Sequence, residues 1–282
     1  MKQDTIRLVH LSDVHFGRED RAALEQVADF TSRVKPDAVI LAGDITQKGR
    51  RSEFEAAREW LWSLQFPVIA APGNHDTPLT NVPARVLGPF ERYARYMDGM
   101  DAVGRLIELR GGDVRIAAIN SARGVQGRLN WADGVIDLED LEVALEQLAD
   151  GPDHAWRILI CHHPLDEPGL SQVAVVTKRG VDALKLCARA HVDAILTGHI
   201  HDAFAHAITN VRRPLVQMGS GTLSTRLRAT PPSFCVIQME NGRMTQDVVS
   251  IELNGLSVRR NYDSAIALPG GGAHGTHVHH VR

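Results

Sequence analysis

Cysteine is scarce in this chain: 282 residues contain three, Cys161, Cys187 and Cys235, each inside an apolar surround. An odd, scattered set of that kind excludes a disulfide framework and points to a reducing compartment. A basic excess is also missing, with 31 Lys and Arg against 34 Asp and Glu and a net charge of −3. A chain that tracks a nucleic-acid polymer normally carries such an excess, so none is expected as a partner. Long apolar runs are absent too. No stretch approaches the roughly 20 residues that span a bilayer. The short run behind Lys2 is interrupted by His10 and is too brief for the apolar core of a secretion signal. These absences predict a cytoplasmic protein without a membrane span. The length suffices for one large α/β domain or two small ones, and 44% hydrophobic and 23% charged residues are ordinary for a globular protein.

Histidine is plentiful, with 14 in the chain. Several stand beside Asp, Asn or Gly where apolar runs stop, and those runs set the architecture. Ile6 to Leu11, Ala38 to Ala42 and Pro67 to Ala71 read as buried strands. Residues 20–34 and Glu53 to Leu64 have helical spacing between them. Strand, helix, strand, helix, strand predicts a parallel sheet with crossover helices. Residues 77–100 read as a loop and a short helix, Pro89 to Met97. Val103 to Leu109 and Val114 to Ile119 flank Gly111-Gly112-Asp113 as a hairpin. A loop over 121–134 precedes a helix from Asp137 to Ala149. Then come a strand, Arg157 to Cys161, a long loop, a helix, Val181 to Ala190, and a strand, Ala194 to Thr197. Strands follow at 203–209, 214–218, 234–239 and 244–252, with Asn241-Gly242 as a turn. The catalytic unit is expected over residues 1–268. The Gly- and His-rich tail 269–282 reads as disordered and has no assigned role.

Two segments resemble one another. Pro36-Asp37-Ala38-Val39-Ile40-Leu41-Ala42-Gly43-Asp44-Ile45 and Val192-Asp193-Ala194-Ile195-Leu196-Thr197-Gly198-His199-Ile200 each follow a helix and end in Gly, a metal-ligand residue type and Ile. Two βα halves presenting ligands from equivalent strand ends would produce this, and strand ends are where α/β sites lie. Seven such positions, Asp13, His15, Asp44, Asn74, His162, His199 and His201, fall at or just beyond the ends of predicted strands. Imidazole, carboxylate and amide oxygen together suit first-row metals. Asp13 and His15, like His199 and His201, have the i, i+2 spacing that in a strand aims both side chains one way.

In order, the chain carries Asp13-Val14-His15, Gly43-Asp44 with Gly49, Gly73-Asn74-His75-Asp76, His162, and Gly198-His199-Ile200-His201. These blocks resemble the calcineurin-like metallophosphoesterase superfamily. The run Gly43 to Phe54 and the His-His-Pro at 162–164 are most similar to its cyclic-nucleotide and glycerophosphodiester phosphodiesterase branch. The resemblance implies a four-layer α/β/β/α fold, a two-sheet sandwich flanked by helices. It also implies two divalent or mixed-valence ions, with Mn, Fe, Zn or Co all acceptable to the ligand set. Asp13, His15 and His201 would hold one ion, Asn74, His162 and His199 the other, and Asp44 both. Catalytic roles fall to His75, facing the substrate, and to Asp76, orienting His75.

The chemistry asks for such equipment, because a phosphodiester is anionic and repels hydroxide. Two ions roughly 3.5–4 Å apart supply a bridging hydroxide and Lewis-acid contacts to phosphoryl oxygens. A bridging ligand with two donor oxygens suits a carboxylate and not an imidazole, which puts Asp44 at the centre. The expected substrate is a small phosphodiester, cyclic nucleotide or glycerophosphodiester. A nucleotide-sugar-lipid pyrophosphatase, a phosphomonoesterase and a non-catalytic scaffold of the same fold are alternatives, and homo-oligomerisation is left open. Substrate choice would come from loops, with Arg123, Arg128, Arg226 and Arg228 as candidate contacts against the plainer reading of solvated surface arginines. His163 is a candidate for supporting the ligands.

Overall fold

The computed structural model describes residues 5–125, 132–169, 177–211 and 214–265, together with the backbone of 278–279. β1 (Ile6–Leu11), β2 (Ala38–Ala42) and β3 (Val68–Ala71) run parallel, linked by α1 (Arg21–Val34) and α2 (Arg51–Ser63). These strands are apolar on both faces because both faces are covered. Val9, Leu11, Val39 and Leu41 turn to the helices and meet Leu24, Val27, Phe54 and Leu61. Leu8, Ile40 and Ile69 turn the other way, onto a second sheet.

Two short helices, α3 (Val82–Leu87) and α4 (Glu91–Tyr96), lead to that second sheet. It is built from β4 (Leu106–Leu109), β5 (Val114–Ala118), β7 (Trp156–Ile160), β9 (Ala194–Thr197), β10 (Phe204–Ile208) and β11 (Leu215–Gly219), in the order β10-β11-β9-β7-β5-β4. α5 (Leu138–Ala149) and α6 (Gly180–Arg189) cover its outer face. Leu141, Leu145, Leu184 and Cys187 there pack on Leu159, Cys161 and Ile195. Between the sheets lie Ile116, Ile158, Ile160 and Leu196 against Leu8, Ile40 and Ile69. Each fully buried Leu or Ile contributes about 1.5–3 kcal/mol over the exposed state, so the inter-sheet layer holds the two halves face to face. The architecture is the expected four-layer α/β/β/α sandwich.

The first sheet is completed by an antiparallel meander, β12 (Ser233–Glu240), β13 (Arg243–Glu252) and β14 (Gly255–Asp263), with β12 pairing β1. β6 (Gly134–Val135) and β8 (Thr177–Lys178) form a separate two-stranded ribbon. Of the tail, only β15 (Val278–His279) is described, paired to Val258 and Arg259. The expected disorder of the remaining tail residues lies outside the described residues. Among the described residues, α3, β14, β15 and the β6/β8 ribbon were not expected. α3 begins at Asn81, whose side chain accepts from the Ala84 amide at 3.2 Å with proline in the first turn, an N-terminal signal readable in Asn81-Val82-Pro83.

The internal similarity has a structural counterpart. β1 and β2 pair with Leu8 opposite Ala38, and β7 and β9 pair with Ile158 opposite Ala194. At the start of the first pair, Arg7 donates its amide to the Asp37 carboxylate at 2.8 Å while Asp37 returns its amide to the Arg7 carbonyl at 2.8 Å. Arg157 and Asp193 repeat both bonds at 2.9 and 2.8 Å. Two strand–helix–strand units are thus clamped alike at one end and present Asp44 and His199 at the other.

Candidate metal centre

The loops leaving β1, β2, β3, β7 and β9 meet above the sheets' C-terminal edges. Backbone bonds carry the pairing past the strands: Asp13 N–H to Gly43 O at 3.0 Å, His15 N–H to Asp44 O at 3.0 Å, Gly198 N–H to His162 O at 2.9 Å. Five side-chain donors sit on left-handed backbone, Asp13 (φ 53°), His15 (50°), Asp44 (51°), His199 (71°) and His201 (69°). Such geometry costs a non-glycine residue about 1–3 kcal/mol and clusters at functional sites. The two i, i+2 pairs are therefore set by left-handed turns and not by strand alternation. Glycine serves close approach here. Gly43 has φ +82°, and a Cβ on it would lie 2.5 Å from His162 Nδ1; a Cβ on Gly73 would collide with the Asp44 carboxylate.

Six of the seven expected ligand residues, Asp13, His15, Asp44, His162, His199 and His201, fall in overlapping groups within each of which the ligand atoms lie within 4.8 Å of one another, and Asn74 opens the turn after β3 next to His75. His201 Nε2 lies 3.2 Å from Asp13 Oδ1 and 3.2 Å from His15 Nε2. Asp44 Oδ2 lies 3.4 Å from His162 Nε2 and 3.8 Å from His15 Nε2. His199 adjoins His162, with ring centroids 5.2 Å apart, and donates its amide to Asp13 Oδ2 at 2.8 Å. Tautomers are fixed from outside. His162 Nδ1–H donates to the Ala42 carbonyl and His201 Nδ1–H to the Arg226 carbonyl, each at 2.8 Å, which turns both Nε2 lone pairs inward. Asp13 Oδ1, Asn74 Oδ1 and His162 Nε2 are buried without a hydrogen-bond partner, so the near contacts of Asp13 and His162 are too poorly aligned to satisfy them. Converging, unsatisfied oxygen and imidazole donors of this kind suit cations.

His163 is settled by its partners. Nε2–H donates to Ala132 O at 2.9 Å and Nδ1 accepts from Ser121 Oγ at 2.8 Å, so both nitrogens are engaged. It packs 4.6 Å from the His199 ring and supports it.

Two expectations need correction. Asp76 does not touch the His75 ring. Its carboxylate accepts from the amides of Thr46 (2.8 Å), Gly73 (2.9 Å) and Ile45 (3.2 Å) and from Thr46 Oγ1 (2.9 Å), tying the loops after β2 and β3 together. The Gln47 carbonyl orients His75 instead, accepting from Nδ1–H at 2.8 Å. Nor are both Asp44 oxygens free to bridge. Oδ1 accepts the His75 amide at 2.8 Å, and Oδ2 alone faces both groups of donors. Asp76→Ala should destabilise the protein by about 2–4 kcal/mol, since buried amides lose their acceptor. Urea unfolding would register this, and an unchanged midpoint would refute it.

Arg226 enters the site, its Nη1 3.2 Å from both His15 Nε2 and His75 Nε2. Arg123 turns back to the Asn120 and Ala122 carbonyls, Arg228 is exposed, and Arg128 lies outside the described residues. Arg226 was one candidate among four by sequence; only the tertiary path of its loop separates it from the others.

Charge is arranged around cation sites. Burial pushes His162 down, but the Asp44 carboxylate outweighs it and holds the ring up at about 9. Burial likewise opposes ionisation of Asp13, yet the charge of His201 brings it well below the usual carboxylate range. Burial and the negative Asp44 push Asp76 up to about 6. Beside His75 a cavity of about 210 Å³ is lined by Lys48, Asn74, Thr77 and Leu79. A larger one of about 510 Å³, among Trp156, Asp193, Leu215 and Tyr262, contains none of the seven donors.

This fold with this donor set is that of a phosphoric ester hydrolase. The chain belongs to the calcineurin-like phosphoesterase family, whose model matches residues 6–203. It is 28% identical over 215 residues to a probable cyclic nucleotide phosphodiesterase of Synechococcus, covering 71% of this chain and 75% of that protein. It is 26% identical over 208 residues to a probable glycerophosphodiester phosphodiesterase of Arcobacter nitrofigilis, covering 69% and 71%. A dimetal phosphatase from Danio rerio superposes with a TM-score of 0.63 over 86% of this chain and 95% of that one; at 13% identity the likeness is one of fold.

Proposed function

We propose that this chain hydrolyses small phosphodiesters at a two-metal centre. The reading rests on one observation above the others: the ligand atoms of Asp13, Asp44 and His162 lie within 4.8 Å of one another, with Asp13 Oδ1 and His162 Nε2 buried and lacking hydrogen-bond partners. Asp13, His15 and His201 would hold one ion, and Asn74, His162 and His199 the second. Asp44, whose Oδ2 faces His15 and His162, would be shared between the two ions. Mn, Fe, Zn and Co all match the donors. When bound, the ions supply Lewis acidity toward phosphoryl oxygens and a nucleophile ionised near neutrality.

The chain's own groups do the rest. The neutral amide of Asn74 keeps the site more positive than a carboxylate would, which favours an anionic diester. His75 gives its Nδ1–H to the Gln47 carbonyl, which leaves Nε2 as the ring nitrogen that would exchange a proton with the leaving oxygen. The cavity beside it, bounded by Lys48 and Leu79, accommodates the departing alcohol. The two relatives are named as a probable cyclic nucleotide phosphodiesterase and a probable glycerophosphodiester phosphodiesterase, and the proposed substrates are of those kinds.

The catalytic unit we assign spans residues 1–268. Cys161, Cys187 and Cys235 are free and buried, which supports placement in the reducing cytoplasm. Among the described residues no helix is long and apolar enough to cross a membrane. One chain supplies every donor, so the centre does not require a second copy. The test is a panel of a diaryl diester, an aryl monoester, 3′,5′-cAMP, glycerophosphocholine and a UDP-linked pyrophosphate, assayed with Mn²⁺, Fe²⁺, Zn²⁺ and Co²⁺ alongside metal analysis. Turnover confined to diesters with two ions per chain is expected. Preference for the monoester or the pyrophosphate, or no turnover despite bound metal, would overturn the reading.

A further inference from the structure

The segment 222–226 is anchored to the loop after β1 at several points. Thr222 Oγ1 donates to the Asp13 carbonyl at 2.6 Å, the Thr225 amide to the Arg18 carbonyl at 2.9 Å and the Asp20 amide to the Leu223 carbonyl at 2.9 Å, while within the segment the Arg226 amide donates to Ser224 Oγ at 3.2 Å. Thr222 and Ser224 are fully buried. With its carbonyl held by His201, the Arg226 backbone is fixed on both sides. A surface arginine has no need of such a mount. The half-buried guanidinium then reaches over the centre to His15 and His75. Among the described residues no carboxylate lies within ion-pairing distance of it. A half-buried cation facing two imidazoles, beside donors that suit further cations, is short of an anion.

We propose that Arg226 is the residue that grips the non-bridging phosphoryl oxygens of the substrate, on the side of the centre where His75 stands. A guanidinium offers two parallel donors to a phosphate, geometry an ammonium cannot reproduce. In the proposed hydrolysis negative charge builds on the non-bridging oxygens as the nucleophile adds and on the leaving oxygen as its bond to phosphorus breaks, so Arg226 would bind the diester and stabilise the charge on the former. The inference rests on the phosphodiesterase reading for its reaction but not for its ligand, which is a phosphate group.

The test compares wild type with Arg226→Ala and Arg226→Lys by three measurements: metal content, calorimetric binding of inorganic phosphate to the metal-loaded protein, and diester kinetics. Arg226→Ala is expected to keep its metals, because the carbonyl that orients His201 survives, and to bind phosphate at least about 10-fold more weakly. Its kcat/KM should fall by about 10²-fold or more, with Arg226→Lys recovering only part and added guanidinium partly rescuing the alanine variant. Unchanged phosphate affinity and KM would overturn the proposal while leaving diester hydrolysis intact. Loss of metal in Arg226→Ala would also overturn it, making the residue a prop for the ligands. If the wild type binds phosphate through Arg226 yet hydrolyses no diester, the hydrolytic reading fails and the assignment of Arg226 stands.

Discussion

Asp44→Asn is expected to abolish turnover with every metal while leaving the chain folded. The substitution keeps the volume and can keep an oxygen for the His75 amide, which now binds Oδ1 at 2.8 Å. What it removes is the negative charge on the one oxygen that faces both His15 and His162. A neutral amide cannot offset two divalent ions brought together in a buried site, so one ion or both should be lost. We expect at least about a 10³-fold fall in kcat/KM, with metal content below two per chain. A second readout is independent of activity. Metal that binds only the folded state raises stability, by about 2.7 kcal/mol at 100 times its dissociation constant. The wild-type melting temperature should climb with Mn²⁺, and that of Asp44→Asn should hardly move. Two ions per chain and near wild-type turnover in the variant would contradict the shared-ligand role.

Much of this site was visible before the fold was. Asp, Asn and His at the ends of apolar runs mark strand termini, and parallel strands in a two-faced sheet must end on one edge, so their donors had to gather. The likeness of residues 36–45 to residues 192–200 has a structural counterpart in two similarly paired strands. Its Asp37 and Asp193 make the same pair of bonds to Arg7 and Arg157. What could not be read depended on backbone geometry and long-range contact. The carbonyls of Ala42, Gln47 and Arg226 choose the tautomers of His162, His75 and His201, and a carbonyl has no residue type to betray it. Asp76 looked like a partner for its neighbour in sequence. Burial drew its carboxylate instead to the Thr46 and Gly73 amides, which outnumber any single imidazole contact. β14 escaped because Arg259, Arg260 and Asn261 interrupt its apolar pattern. It lies at an outer position of the sheet, where ladder bonds to β13 hold the backbone and the side chains stay largely in water.

His75→Ala should part the chemistry from the metals. Alanine keeps the backbone amide that binds Asp44 Oδ1, so the shared ligand stays in place and both ions should be retained. The imidazole is lost, and with it the proton that Nε2 would deliver. General acid catalysis contributes about 10²–10⁴-fold, and the size of the loss should depend on the leaving group. An aryl diester expels a stable phenoxide and needs little help, whereas the alkoxide leaving from glycerophosphocholine or 3′,5′-cAMP needs a proton in the transition state. The variant is therefore expected to lose roughly 10-fold on the aryl substrate and 10³-fold or more on the alkyl ones. Equal losses on both would make His75 an electrostatic contact to the phosphoryl group and not a proton donor. A fall in metal content would make it a ligand, which its bond to Gln47 and its backbone tie to Asp44 argue against.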